Sequence, residues 1–249
     1  RDQPRSRGLG DVYKRQGCAT AYYLAKRGIS STVFEQNSFG SGASGATAGV
    51  IGPLWHVPHE NEAFFKLALR NLHMFPILAS EMSEIGLDLQ YRQSGVLHVA
   101  LDEDQVADIK RDLIWQSRLD MDVKWLDEQE VISREPNLNP KVLGGVYSPL
   151  EGYINGQHFV DTLVLAGAHA GVRFVDKTEV FGLEIVSDRV VGIRIASGVV
   201  EASHVVLASG PWAGIAKRWI YQDVPIRPIK GQRIVLRMPG LVPNSPNHG

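Results

Sequence analysis

The sequence predicts an α/β fold of two interleaved parts, truncated at both ends, and three observations predict it. Gly17 to Arg27 is rich in small residues and strong helix formers, stops at Gly28, and leads into Ser30–Glu35, a short apolar run ending on an acid. That order is the second half of a strand–helix–strand unit. His204 to Gly210 is an apolar run closing on glycine, the pattern of a strand buried in a parallel sheet. Between them, residues 87–156 mix short strands with helices, as a separate mixed sheet would.

The remaining elements follow in order. Phe39 to Gly49 is a loop of glycine, alanine and serine with little bulk. Asn61 to Ile85 has helical character, and Pro76 is expected to kink or split it. Gly95–Leu101 and Val123–Leu126 read as strands, Asp104–Leu119 as a helix, and Asp127 as the cap of a helix ending before Pro136. Residues 146–148 and 152–155 form a strand and turn region, and Gln157–Ala170 is a helix ended by Gly171. Val172–Val175 is a strand. Residues 179–186, 190–195 and 199–202 form a meander with turns at Ser187–Asp188 and Ser197–Gly198. Val224 to Arg237 reads as strand structure crossing back to the mixed sheet.

Composition narrows the function classes. The 249 residues are 44% hydrophobic and 21% charged, with a net charge of -1 and charges of both signs interspersed. A nucleic-acid partner would need a clustered basic surface, and none is present. One cysteine, Cys18, excludes an intramolecular disulfide framework and fits a reducing, cytoplasmic setting. No apolar run approaches the roughly 20 residues that cross a bilayer. Residues 1–16 read as a non-native leader, because Asp11–Gln16 resembles a translated adaptor and no apolar signal segment follows. The turn-rich Pro243–Gly249 reads as a chain interrupted in a loop.

Gly17 is the first chemical signal. A glycine early in the helix of such a unit allows close helix–strand packing near a bound pyrophosphate. Glu35, about 20 residues on at the end of the second strand, is placed to accept hydrogen bonds from ribose hydroxyls. Both residues have blander readings, a packing glycine and a solvated acid, and together they do not separate FAD from NAD. The loop Ala43–Gly49 discriminates better. Its small residues permit close backbone approach, and its N–H groups and Ser44 can hydrogen-bond a diphosphate or a flavin edge. His56, His59 and Glu60 are a poor metal set, because Pro58 disfavours helical ligand spacing. No metal site is expected. Packing or surface roles suit His56, Trp55 and Cys18, and the Phe64–Leu72 cluster reads as core.

The segment from Gly17 to Gly28, Glu35 and the Ala43–Gly49 loop resemble the D-amino-acid-oxidase-like FAD oxidoreductases, and among these the bacterial glycine oxidases. Tyr91–Leu97, Val205–Trp212 and Pro228–Gln232 extend the likeness in the expected order. The resemblance implies a Rossmann-like FAD-binding domain interleaved with a mixed-sheet substrate domain. Residues 17–86 and 157–223 would form the FAD-binding domain, and 87–156 the substrate domain. Residues 224–249 would begin a return to the substrate domain. It also implies roles by position: Gly17 beside the pyrophosphate, Glu35 on the adenosine ribose with Gln36 adjacent, and Ala43 and Ser44 at the phosphate and ribityl region. Ala48, Gly49 and Val50 would lie along the flavin, and the Val180 backbone would meet adenine, with Gly210 giving the cofactor room. The apolar first strand and first two glycines of that family are not visible at residues 9–16.

The implied activity is oxidative deamination of a small amino acid or secondary amine by hydride transfer to flavin, with reoxidation by oxygen. The alternatives are a D-amino-acid dehydrogenase using another electron acceptor and a non-catalytic nucleotide-binding fragment. No catalytic residue is assigned, because the family's substrate-holding Arg and Tyr would fall beyond residue 249. A homo-oligomer is left open.

Overall fold

The computed structural model describes residues 14–56, 61–220, 222–232 and 234. His59 and Glu60 of the histidine cluster, and the expected strand at 235–237, lie outside the described residues. In chain order the elements are α1 (Lys14–Ala25), β1 (Thr32–Phe34), α2 (Ala43–Ala46), β2 (Val50–Ile51), α3 (Pro53–His56) and α4 (Glu62–Glu84). Then come β3 (Tyr91–Arg92), β4 (Val96–Ala100), α5 (Glu103–Gln116), β5 (Lys124–Leu126), α6 (Glu128–Arg134), β6 (Gly144–Ser148) and β7 (Gly152–Ile154). The last are α7 (Gly156–His169), β8 (Arg173–Val175), β9 (Val180–Val186), β10 (Arg189–Ile195), β11 (Gly198–Glu201), a 3-10 helix (Gly210–Ala216) and α8 (Lys217–Ile220).

The chain divides into two compact units, the first holding described residues in 14–48, 85–87 and 156–234. Here β1 pairs in parallel with β8, Val33 opposite Phe174. Helices α1 and α7 pack on one another. On α7 the buried Phe159, Val160, Leu163 and Ala166 recur at helical spacing and form its inward stripe. Strands β9, β10 and β11 make the expected antiparallel meander. Its first turn places Ser187 and Asp188 at φ 49° and 59°, the left-handed pair that matches the twist of a tight hairpin.

Two expectations in this unit are corrected. Helix α1 begins at Lys14, inside the segment read as a leader, so Gly17 sits one turn into the helix rather than at its first residue. Residues 204–209 form no strand, and neither do the described residues from 224 onward. A strand exists through its ladder, and among the described residues β1 has no bonded neighbour other than β8. Without a partner the apolar run is open, with Val206 63% exposed.

The second unit holds described residues in 49–84 and 88–155. Two antiparallel sheets, ordered β2-β7-β3 and β4-β6-β5, form its framework. Leu54, Phe65, Leu72 and Met121 form one buried cluster, and Ala100, Ile109 and Val146 form another beneath α5. Residues 49–84 fall in this unit rather than with the preceding chain, because Val50 and Ile51 pair with Tyr153 and Gly152. Helix α4 runs unbroken through Pro76. Proline removes one backbone bond, but Phe65 and Leu72 before it and Leu78 and Met82 after it are all buried, and that packing holds both halves. The Asp127 cap is as expected. Its carboxylate accepts from Glu130 N, and the Glu130 side chain accepts from Asp127 N, a reciprocal capping box.

Candidate functional site

The first unit contains a cavity of about 680 Å³. One wall is β1 with Gly17 of α1; the opposite wall is residues 201–209. Arg173 N donates to Ser31 O at 3.1 Å and Glu35 N to Val175 O at 2.9 Å. Bonding in a parallel ladder alternates along the strand, so Thr32 and Phe34 direct their backbone groups away from β8. Both residues line the cavity. A Cβ on Gly17 would stand 3.4 Å from Ala208 Cβ and 3.8 Å from Val33 Cγ1, so α1 rests on both walls at van der Waals contact.

Three predicted cofactor residues, Gly17, Gln36 and Val180, line this one cavity, with Thr178 between the last two. Glu35 stands at the end of β1, 1% exposed. Its Oε1 accepts the Asn37 N–H at 2.7 Å, and its carbonyl accepts from Thr178 N at 2.8 Å. Backbone bonds on both sides therefore fix where this carboxylate sits. Gly210 opens the 3-10 helix at the far end of the 201–209 wall, with φ 54°.

Ala43 and Ser44 lie elsewhere in the unit, in the short helix α2 against the start of α7. A Cβ on Gly45 would overlap Gly40 O and the Gln157 side chain, and a Cβ on Gly156 would overlap Ser44 O and Thr47. The absence of bulk in this loop is thus used by protein-to-protein packing. Gln157 Nε2 donates to Phe39 O at 3.2 Å and to Asp161 Oδ1 at 2.9 Å, fastening α7 to the loop. Ser44 Oγ is buried with no hydrogen-bond partner. A buried hydroxyl without a partner costs free energy and calls for a polar neighbour. Ala48, the last residue of the unit's first segment, is exposed.

Gly49 and Val50 belong to the second unit. Gly49 has φ 82°, and a Cβ there would overlap the Ile154 carbonyl. Ile154 N donates to Gly49 O at 2.8 Å. Three residues past Ile51, Leu54 N donates to Glu151 Oε1 at 2.9 Å, and Glu151 is wholly buried. Burial pushes the Glu151 carboxyl up to about 7, against the opposing pull of the Leu54 N–H. Sequence reasoning missed Glu151 and Gln157; their signal, an acid or amide at the edge of a glycine-bearing strand or helix, is not distinctive. Cys18 is buried in α1, as a packing residue is. Trp55 stacks edge-on against His98 at 4.3 Å, and its indole nitrogen is buried. Among the described residues no group of His, Cys, Asp and Glu could hold a metal ion, and no helix is long and apolar enough to cross a membrane.

The family model of DAO-type FAD-dependent oxidoreductases matches residues 16–248. The chain is 31% identical over 225 residues to a glycine oxidase of Geobacillus kaustophilus, covering 90% of this chain and 59% of that protein. It is 28% identical over 218 residues to the glycine oxidase of Bacillus subtilis, covering 87% and 57%. The crystal structure of the Geobacillus kaustophilus glycine oxidase superposes with a TM-score of 0.78 at 29% identity, over 85% of this chain and 56% of that one. The chain therefore spans less than two thirds of the length of the relatives it matches. Its match to the family model covers nearly the whole of its own length, and the chain belongs to the DAO family of FAD-dependent oxidoreductases.

Proposed function

We propose that the full-length protein carries out the oxidative deamination of a small amino acid or secondary amine, glycine foremost, with oxygen as the acceptor of the electrons. The observation that carries the reading is the Ser44 hydroxyl, buried without a partner in a loop where a flavin cofactor of this family would need a polar contact. Gly17 and the fixed Glu35 carboxylate fit the same group. Glu35 would hold the ribose hydroxyls, and Gly17, by letting α1 lie close to β1, would leave room for the pyrophosphate. Gln36 and Val180 would border the adenosine, and Ala43 with Ser44 the phosphate and ribityl region. Ala48, Gly49 and Val50 would pass along the ring.

Bound FAD would supply the redox chemistry, as the acceptor of a hydride from the carbon that bears the amine and the donor of electrons to oxygen. The described residues bind and orient the cofactor. The substrate-holding groups are expected from the rest of the full-length protein. The test is the visible spectrum of the full-length holoprotein mixed with glycine in the absence of oxygen. Bleaching by glycine, with peroxide formed on admitting air, supports the reading. Bleaching with no peroxide transfers it to a dehydrogenase that uses another acceptor. A flavin that no small amine bleaches overturns the substrate assignment.

Ser44→Ala gives a sharper local prediction. Removing a buried hydroxyl that has no protein partner should leave stability of the FAD-free protein unchanged or raised by about 1 kcal/mol. The same change should weaken FAD binding about five- to tenfold, the loss of one hydrogen bond. Isothermal titration and urea unfolding of the same two proteins measure both quantities.

A further inference from the structure

Glu151 has no part in the cofactor contacts described above, yet it is a wholly buried acid of the second unit with one carboxyl oxygen unsatisfied. It is 0% exposed, and its Oε1 accepts the Leu54 N–H from 97 residues away in the sequence. Ser148 Oγ and Trp55 Nε1 lie close enough to favour its charged form, but neither makes a hydrogen bond of good geometry, and Oε2 has no partner. Residues 151–154 run beside 49–54 throughout. Ile154 bonds Gly49, Tyr153 pairs with Val50, Gly152 pairs with Ile51, and Glu151 bonds Leu54. Along that line Glu151 supplies the described side-chain tie, and the rest is backbone.

We propose that Glu151 is a positioning residue whose buried carboxyl fixes the segment Gly49–Trp55, and that it does so in its protonated form. The proposal rests on the reading of Gly49 and Val50 as flavin-side residues. With the proton on Oε2, the acid can donate to Ser148 Oγ while Oε1 still accepts from Leu54, and no charge is buried. Loss of the proton leaves an ion with no cation beside it among the described residues, and the segment then loosens to admit water. A carboxyl that titrates near 7 makes this change within the neutral range.

The other ionisable groups on the elements around it behave differently. Tyr91 on β3 and Tyr153 on β7 are raised by burial, so both stay neutral through this range. Arg92 on β3 is exposed and pairs with Asp88 at 3.4 Å. Tyr147 on β6 donates its hydroxyl to Ser94 O at 3.1 Å. His98 on β4, stacked on Trp55, and His56, next to Trp55 in the chain, are imidazoles that could mimic the effect.

The experiment uses full-length protein as wild type, Glu151→Gln and Glu151→Leu. Glu151→Gln keeps an acceptor for Leu54 N–H and cannot titrate; Glu151→Leu removes the tie. Tryptophan emission is followed with and without FAD as pH rises from about 5.5 to 8.5, with Trp55→Phe identifying the Trp55 signal. The FAD dissociation constant is measured over the same range. The expected result is a Trp55 midpoint near 7 in wild type. With it comes an FAD affinity about tenfold weaker above that midpoint than below it. Glu151→Gln should lack the midpoint and bind FAD at every pH as the acid form does, and Glu151→Leu should bind weakly throughout. A midpoint that survives in Glu151→Gln belongs to another group and overturns the proposal, as does wild-type FAD affinity in Glu151→Leu. If wild type binds no FAD, the flavin reading fails, and the emission titration alone still decides for or against Glu151.

Discussion

Urea unfolding of Glu151→Gln should show almost none of the pH dependence that wild type shows between about pH 5 and pH 8, a difference of about 3 kcal/mol. The sign follows from which state holds the proton more tightly. The carboxyl titrates near 4.5 when solvated and near 7 when folded. Between these values the native state keeps a proton that the unfolded chain has lost, so raising the pH favours unfolding. Wild-type stability is therefore highest below the unfolded value, falls as pH rises towards the folded one, and levels off above it. Each pH step of one between the two values is worth about 1.4 kcal/mol, which brings the whole effect to about 3 kcal/mol. Glutamine carries no such penalty. The variant should match wild type near pH 5 and exceed it near pH 8; parallel curves would remove Glu151 as the source.

The second large effect is expected from Gly49→Ala. At φ 82° an L side chain is strained by about 1–2 kcal/mol wherever it sits. At Gly49 the new Cβ also meets the Ile154 carbonyl, whose own residue donates to Gly49 O at 2.8 Å. A backbone atom cannot turn aside as a side chain can, so the strand pair β2–β7 must separate locally and the cost should reach about 3 kcal/mol or more. Gly86→Ala is the matched control, with φ 78° and nothing within 4 Å of its Cβ. It should cost only the left-handed strain, about 1–2 kcal/mol. Equal costs at the two positions, measured by urea unfolding, would contradict the close approach of residues 49 and 154.

Local chemistry explains what was legible in the sequence. Asp127 with Glu130 three residues on specifies a capping box by side-chain type alone, and the Ser187–Asp188 turn closes β9 on β10 through two residues that tolerate φ > 0. These features depend on neighbours in sequence. Residues 204–209 do not. Their apolar pattern predicts a buried parallel strand, but a strand needs a bonded neighbour, and the run instead forms one wall of a cavity. Pro76 does not split α4, since the burial of Leu72 and Leu78 on either side outweighs the lost backbone bond. The placement of Gly17 on the cavity wall and of Glu35 at the end of β1 could be read because strand–helix–strand spacing fixes it. Glu151 could not, because its significance lies in a bond to Leu54, far away in the chain.

If this chain contributes the FAD-holding residues of its family, the visible absorption spectrum of the purified full-length protein will show it. The expected result is a bound-flavin spectrum that survives gel filtration and weakens in Ser44→Ala. A full-length protein that folds, yet shows no flavin even after incubation with excess FAD, would contradict it.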